Sequence, residues 1–163
     1  MIAEHVLGNL HHYDTKGKPV DYVEIDWFET DKKLLRKTTQ SGEDIGIKLH
    51  AHSTTHCHGG AEHTHMVDAK LQDGDILFED NDRIIAVKIK EGKLIVAQVF
   101  SQAEMGRLCF ELGNRHLSLS ISEGEVRLAY DAPTFDYLKK LGFQVREELG
   151  TLTDVWECKA HAH

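Results

Sequence analysis

Six of the chain's twelve histidines fall within sixteen residues, at His50, His52, His56, His58, His63 and His65, with Cys57 among them. An imidazole with its ordinary pKa near ~6.5 is largely neutral at cytoplasmic pH and can give a ring-nitrogen lone pair to a metal ion. A local excess of His, with Cys in it, is the compositional mark of divalent transition-metal binding. Nickel, copper, zinc and cobalt all accept imidazole, and intrinsic affinity favours copper. The tract thus sets a class of metal and leaves its identity open.

Three kinds of chemistry compete for these residues. A solvated, low-complexity loop would bind metal incidentally. An enzyme centre would need a fixed frame of three ligands with supporting groups behind it. His56, His58 and Glu62 match the H-x-H-x₃-E core of a cupin metal motif, but His50 and Ala69 stand where its flanking glycines belong, and the second cupin motif has no counterpart. Gly60 and Ala61 replace the Asp and His of a metallo-β-lactamase signature, and there is no H-E-x-x-H. The third chemistry is reversible capture and handover of a borderline metal. Three H-x-H pairs and a thiol beside Gly59-Gly60 offer many ways to wrap an ion, and multiplicity without rigidity suits transfer.

Other chemistry is weakly signalled. No G-x-S-x-G, P-loop or G-x-G-x-x-G is present. Cys57, Cys109 and Cys158 are odd in number and far apart, which argues against a disulfide framework and for a reducing, cytoplasmic setting. Cys109 lies on an apolar helical face and reads as core. Cys158 is a better ligand candidate, because His161 and His163 follow it. The net charge of −8 and the lack of a basic patch argue against nucleic-acid or membrane partners. No signal peptide is expected from Met1-Ile2-Ala3-Glu4-His5, and no apolar run nears the roughly 18 residues of a membrane span.

The elements that must position these groups form two patterns. Up to about residue 91 the chain reads as a small all-β domain. Val23, Ile25 and Trp27 alternate with acidic residues, 34–39 and 45–49 are strands about a Ser41-Gly42-Glu43-Asp44 turn, and 74–89 is a hairpin. The tract at 50–69 interrupts it as an inserted loop, which costs little, since each doubling of loop length adds only ~0.6 kcal/mol. From 92 to 150 the order is β-α-β-β-α-β. Ser101 and Glu104 have capping-box spacing, Met105, Leu108, Cys109 and Leu112 share a helical face, and Gly113 is the expected stop. Pro133 opens a second helix that Gly142 closes, and 143–146 is a last strand. The fold class is α+β, a small all-β N-terminal domain followed by a ferredoxin-like C-terminal domain. Residues 151–163 are expected to be a mobile tail.

Leu112-Gly113-Asn114-Arg115-His116 ends the first helix of that β-α-β-β-α-β unit, behind the all-β domain. In this setting it resembles the signature of the UreE family of urease accessory proteins, the nickel metallochaperones. Leu35-Arg36-Lys37-Thr38 with Asp44-Ile45-Gly46-Ile47, Asp73-Gly74-Asp75-Ile76-Leu77 and the stretch 102–107 are similar as well. The resemblance implies a cytoplasmic homodimer and no enzymatic activity. It further implies that His116 of each protomer shares one Ni²⁺ ion, with Zn²⁺ or Cu²⁺ as competitors, and that tail histidines, here His161 and His163, complete the site. The N-terminal domain would dock partner proteins, and nickel would pass through a GTPase accessory protein toward the urease apoprotein. Two departures stand out: the histidine-rich run lies in the N-terminal domain, whereas many relatives carry it at the C-terminus, and Tyr130 and Ala132 sit near positions where some relatives have histidines.

Overall fold

The structure, a computed structural model, describes residues 1–50, 52–58, 61–67 and 70–157, with 52–58 and 61–67 described through their backbone. The chain divides into two compact units, Met1–Lys90 and Glu91–His163.

The first unit is built from strands. β1 (Ile2–Ala3), β5 (Asp44–Lys48) and β4 (Leu34–Thr38) form one sheet in the order β1-β5-β4. A second sheet has the order β2-β8-β9-β3, from β2 (Gly8–Asn9), β8 (Asp75–Glu79), β9 (Ile84–Ile89) and β3 (Val20–Ile25). Period-2 alternation sends Val23 and Ile25, Ile45 and Ile47, and Ile85, Val87 and Ile89 into a common core, where all are at most 3% exposed. Each such aliphatic side chain stabilises the unit by about 1.5–3 kcal/mol. Two of the pairings are parallel, β1 with β5 and β3 with β9. A register shift in β8 between Ile76 and Phe78 lets the consecutive Ile76 and Leu77 both be buried, as a bulge does.

The insertion differs from a free loop. β6 (His52–His58) and β7 (Ala61–Val67) pair antiparallel from His52 opposite Val67 to His58 opposite Ala61. Thr54, Thr55, Thr64 and Val67 are β-branched, which suits an extended backbone better than the histidine count suggests.

The second unit runs β10 (Gly92–Gln98), α1 (Gln102–Asn114), β11 (Leu119–Ser122), β12 (Glu125–Ala129), α2 (Ala132–Lys140), β13 (Gln144–Gly150) and β14 (Val155–Trp156). The sheet order β13-β10-β12-β11 is that of a ferredoxin-like domain, with β14 added beyond β11. Ile95, Ala97 and Val99 of the first strand segment meet Leu108 and Leu112 of α1 and Leu138 of α2 in its core. Three sequence expectations change here. The last main strand runs on to Gly150. The segment after it is not a free tail: Leu152 is 2% exposed, and Val155 and Trp156 pair with Ser120 and Leu119. An open edge of β11 would leave backbone groups unpaired, and two residues suffice to cover it, too few to show alternation. The third change, at the end of α1, bears on the site.

Candidate metal centre

α1 begins as its spacing predicts. Ser101 Oγ accepts the Glu104 backbone N–H at 3.1 Å, while the Glu104 carboxylate accepts the backbone N–H of Phe100 at 2.7 Å rather than that of Ser101. Leu108 and Leu112 are fully buried; Met105 and Cys109 pack at the rim, where the Cys109 thiol donates to Met105 Sδ at 3.8 Å and burial raises its pKa. Cys109 therefore packs against the core, as its place on the apolar helical face predicts.

The helix does not stop at Gly113, which remains helical. Its C-cap is Arg115, and the left-handed residue beyond it is His116, at φ 55°. His116 N–H donates to the Gly113 carbonyl at 2.9 Å and Leu117 N–H to the Leu112 carbonyl at 3.2 Å, the paired bonds of a Schellman motif. α2 ends with the same motif: Gly142 N–H donates to Lys139 and Phe143 N–H to Leu138, and there the left-handed residue is a glycine at φ 87°. Both helices pin the turn with an apolar pair, Leu112 and Leu117 in α1, Leu138 and Phe143 in α2. A left-handed backbone costs an L-residue roughly 1–2 kcal/mol, and glycine escapes that cost. One helix end in this domain uses the cheap residue and the other holds an imidazole in its place, exposed to solvent.

Side chains from both helices hold that end. The Arg115 guanidinium lies 3.6 Å from the centroid of the Tyr137 ring, and the Tyr137 hydroxyl donates to Glu111 Oε2 at 2.6 Å. Glu111, Tyr137 and Arg115 thereby clamp the last turn of α1 to α2 one residue before His116. One exposed imidazole per chain leaves most of a metal's coordination sphere open, which suits a site completed by a second copy or by other ligands.

The other candidates lie apart in kind. Along the ribbon, position 56 is directly opposite 63, 54 opposite 65 and 57 opposite 62. By the two-residue period, positions 52, 56, 58, 63 and 65 share one face, and positions 57 and 62 share the other. Position 57 thus falls on the face of the ribbon opposite to that of the five histidine positions. His50, ahead of the ribbon, is exposed, and its ring centroid lies 6.0 Å from that of His5. His5 escaped notice in the sequence because it stands alone between Glu4 and Val6; the signal that finds it is the parallel pairing of β1 with β5. Cys158, His161 and His163 lie outside the described residues. Among the described residues, no three His, Cys, Asp or Glu side chains are gathered as a metal site.

Comparison with known proteins follows the same two units. A family model described as the N-terminal domain of UreE urease accessory protein matches residues 3–60, and one described as its C-terminal domain matches residues 92–154. A protein named urease accessory protein UreE in Bifidobacterium longum subsp. infantis is 40% identical over 164 residues, covering 99% of this chain. The chain spans 66% of that relative's length. The protein of the same name in Helicobacter pylori (strain G27) is 38% identical over 148 residues, 90% of this chain and 79% of the relative. That of Flavobacterium johnsoniae is 30% identical over 163 residues, 100% of this chain and 90% of the relative.

Proposed function

The chain belongs to the UreE urease accessory protein family, and from that premise we propose that it is a nickel-binding metallochaperone serving assembly of the urease metallocentre. The observation that carries this reading is the exposed His116 in a left-handed position that its sister helix fills with glycine. Residues held in this conformation are enriched at functional sites, and Lys16 and Asp154, which share it, do not stand at a helix end where the sister helix has glycine.

In this account the protein works as a homodimer in the cytoplasm and performs no catalysis of its own. His116 of each protomer binds one Ni²⁺ between them, so metal binding and dimerisation are linked: an ion that prefers the dimer stabilises it by mass action. Two imidazoles leave positions for exchange, and His161 and His163 of the tail complete the sphere. The ribbon, with His52, His56, His58, His63 and His65, collects and stores ions ahead of that site, with His50 at its foot and Cys57 on its other face. Unit Met1–Lys90 docks partner proteins, and unit Glu91–His163 carries dimerisation and the specific site. The recipients are a GTPase accessory protein and, through it, the urease apoprotein. Zn²⁺ and Cu²⁺ are chemically able to compete.

Urease activity in a urease-positive host tests delivery. Replacing this gene with its His116→Ala variant is expected to lower urease activity at limiting nickel by at least tenfold, with recovery when nickel is supplied in excess. Full activity at limiting nickel contradicts the assignment, and a deficit that excess nickel does not relieve points to a role other than supplying the metal.

A further inference from the structure

In the N-terminal unit a second pair of imidazoles meets, for a reason of topology. β1 and β5 run parallel, with Ile2 opposite Gly46 and Ala3 opposite Ile47, so both strands leave the sheet at the same end. The register carries one step further: Lys48 Nζ lies 4.0 Å from Glu4 Oε1. One step on, the register sets His5 opposite position 49, and His50 follows one residue later; each histidine lies two residues beyond its strand. Their ring centroids are 6.0 Å apart with the planes inclined by 37°, and both residues are exposed. They line one cavity of about 340 Å³, whose wall also carries Glu4, Lys70 and Asp75. Asp75 is committed elsewhere, accepting from Asn9 Nδ2 at 3.0 Å and from the Gln72 backbone N–H at 2.7 Å.

We propose that His5 and His50 together bind one divalent transition-metal ion at the foot of the histidine ribbon, as a two-imidazole site open to solvent. The geometry suits this. Metal–nitrogen bonds of about 2.0–2.1 Å place the centroids of two imidazoles on one ion roughly 5–6 Å apart. The observed 6.0 Å therefore needs only side-chain rotation to close on an ion. The sheet pairs the two strands up to two residues before each histidine, which keeps the two backbones close where the imidazoles meet. Glu4 and Asp75 supply negative charge to the same wall, and Lys70 and the Lys48 ammonium beside Glu4 offset part of it. Two protein ligands give weak, fast-exchanging binding, as a staging point requires. Position 52, where the ribbon begins, is two residues from His50 in the chain, which sets the pair beside the start of the ribbon in sequence. Only that staging role rests on the metal-carrier reading above; the binding itself rests on the two side chains.

The test uses the full chain with every other candidate ligand removed: His52→Gln, His56→Gln, His58→Gln, His63→Gln, His65→Gln, Cys57→Ser, His116→Gly, Cys158→Ser, His161→Gln and His163→Gln. Titration calorimetry with Ni²⁺ alone is expected to find one remaining site per chain. Adding either His5→Gln or His50→Gln should weaken it at least tenfold, and adding His11→Gln with His12→Gln should leave it unchanged. Circular dichroism and thermal unfolding of each variant confirm that the fold is kept, as exposure of both residues leads one to expect. Absence of the residual site, its persistence in the His5→Gln variant, or its loss with His11 and His12 overturns the proposal. Because this background lacks His116, such a result leaves nickel delivery through His116 standing, and loss of urease activation in the His116→Ala host is read independently of it.

Discussion

His116 combines an ordinary ligand side chain with an uncommon backbone, and the two can be separated by choice of substitution. His116→Gly removes the imidazole and relieves a left-handed cost of roughly 1–2 kcal/mol, against about 0.4–1 kcal/mol of extra freedom in the unfolded chain. The variant is expected to match or exceed the parent's stability by up to about 1.6 kcal/mol in urea unfolding. His116→Ala keeps the left-handed cost and gains nothing. If both variants lose stability equally, the imidazole is holding the turn together and its functional reading weakens. A second residue-scale prediction concerns Glu29. Burial acts to raise its pKa, but the Lys37 hydrogen bond at 2.5 Å, the Asp26 backbone N–H, the charge of Lys37 and the Lys32 hydrogen bond outweigh it, and the carboxyl is lowered from 4.5 to about 2. A carboxyl lowered on folding stabilises the native state above its unfolded pKa, and that contribution drains away as pH falls from about 4.5 toward about 2. Glu29→Gln should therefore lose stability at neutral pH and show a flatter acid limb between those values; an unchanged acid limb would remove Glu29 from the account.

Elements show which parts of the fold were legible. Caps and apolar faces were, because each is written within a few neighbouring residues: Ser101 with Glu104, Leu108 with Leu112, and Pro133 in the first turn of α2. The end of α1 was misplaced because Gly113 looked like the left-handed residue, although the Leu112–Leu117 pair that marks a Schellman turn puts that residue at 116. Parallel pairing of β1 with β5 was hidden, since it joins segments more than forty residues apart with no turn between them to announce it, and His5 was hidden with it. The ribbon's pairing was masked by composition. Two predictions belong to this scale. Deleting 50–65 should lower the number of Ni²⁺ ions bound per chain while keeping the tightest class of site, as equilibrium dialysis would measure; loss of all binding would return the ribbon to the centre. Leu152→Ala should cost about 2–5 kcal/mol in urea unfolding, because its side chain is 2% exposed. A cost under about 0.5 kcal/mol would mean that 151–157 does not seal the sheet.

Across the whole molecule, the proposed function divides labour between a place that would gather metal and a place that would specify it. The gathering part is rich in histidine and was visible from composition. The specifying part is one histidine per chain, visible only through the motif around it and the domain behind it. Imidazole ligands must be neutral to bind, so Ni²⁺ affinity should fall as pH drops below about 6. The central claim is that two copies of His116 share one ion, and Ni²⁺ titration calorimetry on the wild-type and His116→Gly chains, with sedimentation velocity alongside, tests it most directly. The account predicts a tightest class of one Ni²⁺ per two wild-type chains that weakens at least a hundredfold in His116→Gly while the weaker ribbon binding remains. A tightest class unchanged in affinity and stoichiometry in His116→Gly would contradict it.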